Sequence, residues 1–183
     1  MKNRDAIDAF NQGKVIAYPT EAVFGLGCDP ENEQAVKNLL EIKQRPIEKG
    51  LILLASRFEH LKPFINTDLF SEQQLDEILA RWPDGITQVL PASEKAQPFI
   101  TGKFSSIAVR LTTQPDVDDL CCQTGKPIVS TSANLTGEEP CRTWQQVEEA
   151  LGDKVGFVIK GKTLNFTKPS QIIDGITGEV FRT

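Results

Sequence analysis

The sequence predicts one α/β domain, an open β-sheet with helices packed around it. Three observations predict it: strand-like and helix-like segments alternate along the chain, 183 residues make about one domain, and no Pro/Gly/Ser-rich linker or internal repeat divides residues 1–183. The longest purely aliphatic run, Leu51 to Ala55, is far too short to cross a bilayer. Asp5 and Asp8 interrupt the stretch that a secretory leader would keep apolar. A cytoplasmic protein with no membrane partner is expected.

Taken in order, Ala6, Ile7 and Phe10 share one face of a helix over 5–12, which Gly13 stops. Val15 to Tyr18 follows as a buried strand. Asp29 is placed to cap a second helix with Pro30 at its first position, and Val36, Leu39, Leu40 and Lys43 then recur at helical spacing. Leu51 to Ala55 is the next strand. Ser71 and Gln74 form a capping box ahead of Leu75, Ile78, Leu79 and Trp82, which repeat at i, i+3, i+4 and i+7. Further strands are expected at Ile86 to Leu90, Ile107 to Leu111, Ile128 to Ser130 and Val155 to Ile159, with helices near 116–123 and 143–151. Thr143 and Gln146 make a second capping box, and Trp144, Val147 and Leu151 face inward. Both Trp82 and Trp144 fall on apolar stripes, so core packing is expected of them.

Composition narrows the chemistry. The net charge of −5 and the pI of about 5.0 have the wrong sign for a protein devoted to sequence-independent nucleic-acid binding, which leaves only a confined basic surface for any RNA. Cys28, Cys121, Cys122 and Cys141 show no CxxC spacing and have only His60 for company, so no metal site is expected and the thiols read as small buried apolar groups. A single histidine makes Ser/His/Asp and Cys/His engines improbable. His60, beside apolar neighbours in FEHLKPF, reads as a packing or surface residue. GxGxxG is absent, and Gly125-Lys126 lacks the upstream glycine of a phosphate loop.

What remains is charge placement. In KQRPIEKG, Lys43, Arg45 and Lys49 crowd three cations into seven residues at a helix exit, which suits a polyphosphate or simply complements the helix dipole. In STSANLTGEEP, Ser130, Ser132 and Asn134 gather hydroxyls and an amide at a strand's carboxyl end, where open α/β sheets bind ligands. YPTEAVFGLG, Tyr18 to Gly27, leaves a strand with Gly25 and Gly27 permitting close backbone approach. Arg110 lies in the otherwise apolar SIAVRL and needs an anionic partner, internal or bound.

Read in order, these segments resemble the YrdC-like family of threonylcarbamoyl-AMP synthases over nearly the whole chain. The resemblance is carried by YPTE...GLG at 18–27, Lys43 and Arg45 of a KxR signature, Trp82, Pro83 and Thr87, and Val109 with Arg110. STSAN at 130–134 and the run Pro169, Ser170, Ile173 and Asp174 complete it. The chain is similar to the short, single-domain members. It departs from the family pattern at Ala22 and Phe24, at Leu54 where longer members carry histidine, in WPDG, and at Thr112.

The resemblance implies a mixed, strongly twisted sheet around a deep, positively lined cavity. It implies condensation of L-threonine, bicarbonate or CO2, and ATP to threonylcarbamoyl-AMP and pyrophosphate, as the feedstock for a tRNA modification completed by other proteins. By the same analogy Lys43 and Arg45 serve catalysis, and Lys43, Arg45, Lys49, Ser132 and Asn134 hold ATP. Thr20, Arg110, Ser130 and Ser170 hold threonine, with Mg2+ arriving on the nucleotide and no organic cofactor. The alternative is an RNA-binding or ribosome-maturation factor using the same basic cavity, and a third reading is a carbamoyl-transfer domain like those of hydrogenase maturation proteins.

Overall fold

The computed structural model describes residues 3–83 and 85–182; Asp84 of the WPDG run lies outside the described residues. The chain forms a nine-stranded mixed sheet in the order β7-β1-β2-β6-β3-β5-β4-β8-β9. Its strands are β1 (Ile16–Pro19), β2 (Phe24–Gly27), β3 (Ile52–Ala55), β4 (Ile86–Pro91), β5 (Ser106–Leu111), β6 (Ile128–Ser132), β7 (Phe157–Val158), β8 (Gln171–Asp174) and β9 (Val180–Arg182). Its α-helices are α1 (Arg4–Asn11), α2 (Glu33–Lys43), α3 (Phe58–Leu61), α4 (Glu72–Ala80), α5 (Pro98–Thr101), α6 (Pro115–Thr124) and α7 (Trp144–Leu151). Parallel pairs (β1 with β7, β3 with β5, β4 with β8) mix with antiparallel ones, as the resemblance implies.

Local chemistry explains most boundaries. Both expected capping boxes form: the Ser71 and Thr143 hydroxyls accept from the Gln74 and Gln146 amides, and each glutamine reaches back. Gln114 caps α6 ahead of Pro115, and Gly125 closes it in the left-handed region at φ 68°. Helix α2 starts later than expected. Its cap is Asn32, which accepts from the Ala35 amide at 3.0 Å, whereas Asp29 is drawn away by Lys126, 2.7 Å distant.

Other features differ from, or add to, what the sequence predicts. The segment after β1 is a strand, β2, because Phe24–Gly27 pairs antiparallel with β1 and Gly25 and Leu26 pair with Ser132 and Thr131 of β6. Glycine is required there: a Cβ on Gly27 would collide with the Val129 carbonyl and the Ile128 side chain. Cys122 is exposed, unlike Cys28, Cys121 and Cys141, because it lies on the outer face of α6 while Cys121 faces inward. Trp82 is buried as expected, but Trp144 is half-buried and lies under the Lys160 ammonium, 4.8 Å from the ring centroid. His60 is half-buried, and β8 and β9, which the apolar pattern does not announce, extend the sheet beyond β4.

Side-chain alternation on the strands divides the sheet into two faces. Leu53, Ile107, Val109 and Val129 are at most 1% exposed and belong to the hydrophobic core. The alternate set, Ile52 on β3, Ser106, Ala108 and Arg110 on β5, Val89 on β4 and Ser130 and Ser132 on β6, turns to the other face and floors a cavity. One strand period thus supplies both the core and the site.

Candidate active site

The cavity measures about 660 Å³, within the range of small-molecule sites. Among the described residues its lining includes five cations, Arg45, Lys49, Arg110, Lys168 and Arg182, against one carboxylate, Glu21. A chain of net charge −5 therefore concentrates positive charge in one hollow. No group of three or more His, Cys, Asp or Glu side chains suited to a metal occurs among the described residues.

The cations of the helix exit reach the cavity through a sharp reversal. Gln44 takes the left-handed conformation at φ 48°, ending α2, and Arg45 turns back so that its Nη2 donates to the Gly50 carbonyl at 3.0 Å. Gly50 itself sits at φ 66° against the Thr101 carbonyl, where a side chain would not fit. Arg45 keeps a buried Nε with no partner among the described residues. Its guanidinium is held below its ordinary pKa, first by burial and then by Arg182, and Arg182 is lowered by burial and by Arg110. Three guanidiniums therefore repel one another across the hollow until an anion sits among them.

Lys43 is placed differently. It is 5% exposed and absent from the cavity wall; its Nζ donates to the Ser132 carbonyl (2.7 Å), the Asn134 carbonyl (2.7 Å) and Asn134 Oδ1 (2.6 Å). Thr136 closes the tie by donating its hydroxyl to the Lys43 carbonyl. Asn134 is likewise turned inward, accepting from Ser132 Oγ at 2.7 Å and donating to the Glu138 carbonyl at 2.7 Å. Lys43 and Asn134 thus brace the strand-end loop, while Arg45, Lys49 and Ser132 of the nucleotide group line the cavity directly. Burial, then Arg45, pushes the Lys43 ammonium down to about 8.

All of the residues assigned to the amino acid line the same hollow. Thr20 is fixed by a 2.7 Å bond from its hydroxyl to the Val23 carbonyl, and Ser170 Oγ lies 2.9 Å from Thr87 Oγ1. Ser130 and Arg110 sit on either side of β3, in register with Ile52 and Leu54. Beneath them burial raises the pKa of the Tyr18 hydroxyl, which donates to the Val129 carbonyl at 3.3 Å. Of the departures from the family pattern, Ala22 and Phe24 line the cavity and Leu54 is fully buried.

Sequence reasoning missed Glu21, Lys168 and Arg182. Glu21 stands inside the YPTE segment, whereas Arg182 follows no motif and reaches the cavity because β9 pairs with β8, its Nη2 donating to the Ser170 carbonyl at 3.0 Å. Phe104, Phe166 and Phe181 also line the hollow while remaining 44–55% exposed, which places an apolar rim around a polar floor.

Comparison with known proteins gives the family and the fold. The Sua5/YciO/YrdC family model, described as Telomere recombination, matches residues 8–183. A protein of Vibrio campbellii named Threonylcarbamoyl-AMP synthase is 49% identical over 183 residues, covering 100% of this chain and 99% of that protein. Another of that name from Enterobacter sp. is 54% identical over 178 residues, covering 97% of this chain and 93% of its own. Among solved structures, P. abyssi Sua5 complexed with L-threonine superposes with a TM-score of 0.85 at 32% identity, covering 93% of this chain, which spans 50% of that one. E. coli YciO gives 0.82 at 22% identity, covering 100% of this chain and 92% of that one, and supports the fold alone. With its cavity, its ordered motifs and these matches over almost its full length, the chain belongs to the Sua5/YciO/YrdC family.

Proposed function

We propose that the chain is a threonylcarbamoyl-AMP synthase, a nucleotidyltransferase that joins L-threonine, CO2 or bicarbonate, and ATP, releasing pyrophosphate. One observation carries the reading: Arg45 and Ser132, on the nucleotide side, line the same hollow as Arg110, Ser130 and Ser170, on the amino-acid side. Full-length relatives of this name at about half identity support it.

The chemistry asks little beyond placement and charge. The threonine ammonium first loses a proton to solvent, and the free amine nitrogen then bonds the carbon of CO2 and loses a second proton to solvent to give a carbamate. A carbamate oxygen then attacks the α-phosphorus in line, and the bond to the departing pyrophosphate breaks. Arg45, Lys49 and Arg182 stabilise the negative charge that collects on the phosphates, and the Gly50 and Ser170 carbonyls hold Arg45 and Arg182 in place before the reaction begins. Ser132, held by the Lys43–Asn134 brace, offers a hydroxyl to the nucleotide. Arg110 takes the threonine carboxylate, with Ser130, Ser170 and Thr20 around the remaining side chain. Among the described residues a single carboxylate on the wall makes a poor metal cage, so we assign magnesium to the substrate as Mg·ATP. The product would pass to tRNA-modifying proteins, and a cytoplasmic location goes with that role.

Purified protein given Mg·ATP, L-threonine and bicarbonate should release pyrophosphate only when all three are present. Pyrophosphate release that ignores threonine, or none at all, would reject the assignment.

A further inference from the structure

We infer that Glu21 reads the ammonium group of the amino-acid substrate, so that Glu21 and Arg110 together select a zwitterion; this deepens the synthase reading and rests on it. Glu21 is 5% exposed and is the only carboxylate among the described residues lining the cavity. Its Oε2 lies 3.5 Å from Arg110 Nη2, too far for the paired, bidentate bonds of a closed ion pair. Each member keeps a buried polar atom without a partner among the described residues, Oε1 on Glu21 and Nε on Arg110. Unsatisfied buried atoms of charged groups are costly, and here an acceptor and a donor stand side by side in a hollow sized for a ligand.

The unmet needs define the ligand. A carboxylate alone would satisfy Arg110 but bring a second negative charge against Glu21. An ammonium alone would satisfy Glu21 and leave Arg110 short. The ammonium and carboxylate of an α-amino acid hang from one carbon, so a single small molecule can answer both groups of a contacting pair. The backbone holds Glu21 in position, since its carbonyl accepts from the Phe166 amide at 3.1 Å and its neighbour Thr20 is pinned to Val23. Holding the nitrogen at Glu21 also fixes where the new bond to carbon forms, beside the nucleotide cations.

Calorimetric titration of the full chain with L-threonine and with β-hydroxybutyrate, the same molecule without its amine, tests this apart from turnover. Wild-type protein should prefer L-threonine by about 10- to 100-fold, the worth of one hydrogen bond to a charged group. Glu21→Gln, which keeps the shape and loses the charge, should lower threonine affinity by a similar factor, while β-hydroxybutyrate, relieved of the repulsion, binds at least as tightly and ATP binds as before. Equal losses for both acids, or threonine affinity kept within twofold, would overturn the inference. If the variant does not fold, a wild-type preference for threonine below twofold overturns it equally. Wild-type protein that binds neither acid and releases no pyrophosphate would reject the synthase reading, and this inference with it.

Discussion

Replacing Arg45 with alanine separates a ligand-holding residue from a structural one. Among the described residues the Arg45 side chain makes one hydrogen bond, to the Gly50 carbonyl at 3.0 Å, and its buried Nε has no partner. The lost bond is worth about 1 kcal/mol. Against it stands the repulsion that burial and Arg182 impose on this guanidinium, which its removal relieves. The net change in folding stability should therefore stay within about 1 kcal/mol, or about 2–4 °C in Tm for a chain of this size. Substrate binding should respond far more strongly. A guanidinium bonded to phosphate contributes about 1.5–3 kcal/mol, so the KM for ATP should rise by about 10- to 100-fold with the threonine KM nearly unchanged. Pyrophosphate release measured against ATP at saturating threonine, and against threonine at saturating ATP, reads both numbers. A Tm loss of about 10 °C or more, well beyond that range, or equal shifts in the two KM values, would show that Arg45 supports the fold or spans both halves of the pocket.

Arg110→Ala should give the mirror image, raising the threonine KM by at least about tenfold while ATP titration is unaltered. Lys43 predicts a pH dependence. Below its pKa of about 8 it is an ammonium bracing Ser132 and Asn134, and above it a neutral amine, so ATP affinity should fall as pH rises through about 8. Lys43→Arg, which stays charged, should abolish that inflection. Folding carries the opposite sign: the unfolded lysine titrates near 10.5, so the unfolded chain holds more protons between 8 and 10.5 and urea-measured stability from this group should rise across that window. Gly27→Ala forces a methyl into the Val129 carbonyl and should cost at least about 1–3 kcal/mol, read as a lower urea midpoint; an unchanged midpoint would mean that β2 and β6 can separate freely.

The elements legible in the sequence are those whose signal is local. Five long helices announce themselves by periodicity and capping boxes, and β1, β3, β4, β5 and β6 by apolar runs. Strand β2 stayed hidden because FGLG has little strand propensity; Gly27 is there for the close approach of β6, a long-range fact. Asp29 and Asn32 are both good caps, and the choice between them falls to Lys126, which is 97 positions from Asp29. Lys43 carried a clue that charge counting overrode: it extends the Val36–Leu39–Leu40 stripe of α2 and so points inward, away from the ligand. Arg182 could be found only from the sheet, where β9 returns beside β8 and delivers a third guanidinium.

The central claim is that one hollow receives both the nucleotide and the amino acid. A crystal grown with a non-hydrolysable Mg·ATP analogue and L-threonine tests it most directly. Phosphates are expected among Arg45, Lys49 and Arg182, and the threonine carboxylate on Arg110, with the threonine nitrogen and the α-phosphate facing each other in the same hollow. A nucleotide bound elsewhere on the surface, or threonine separated from it by the sheet, would contradict that claim.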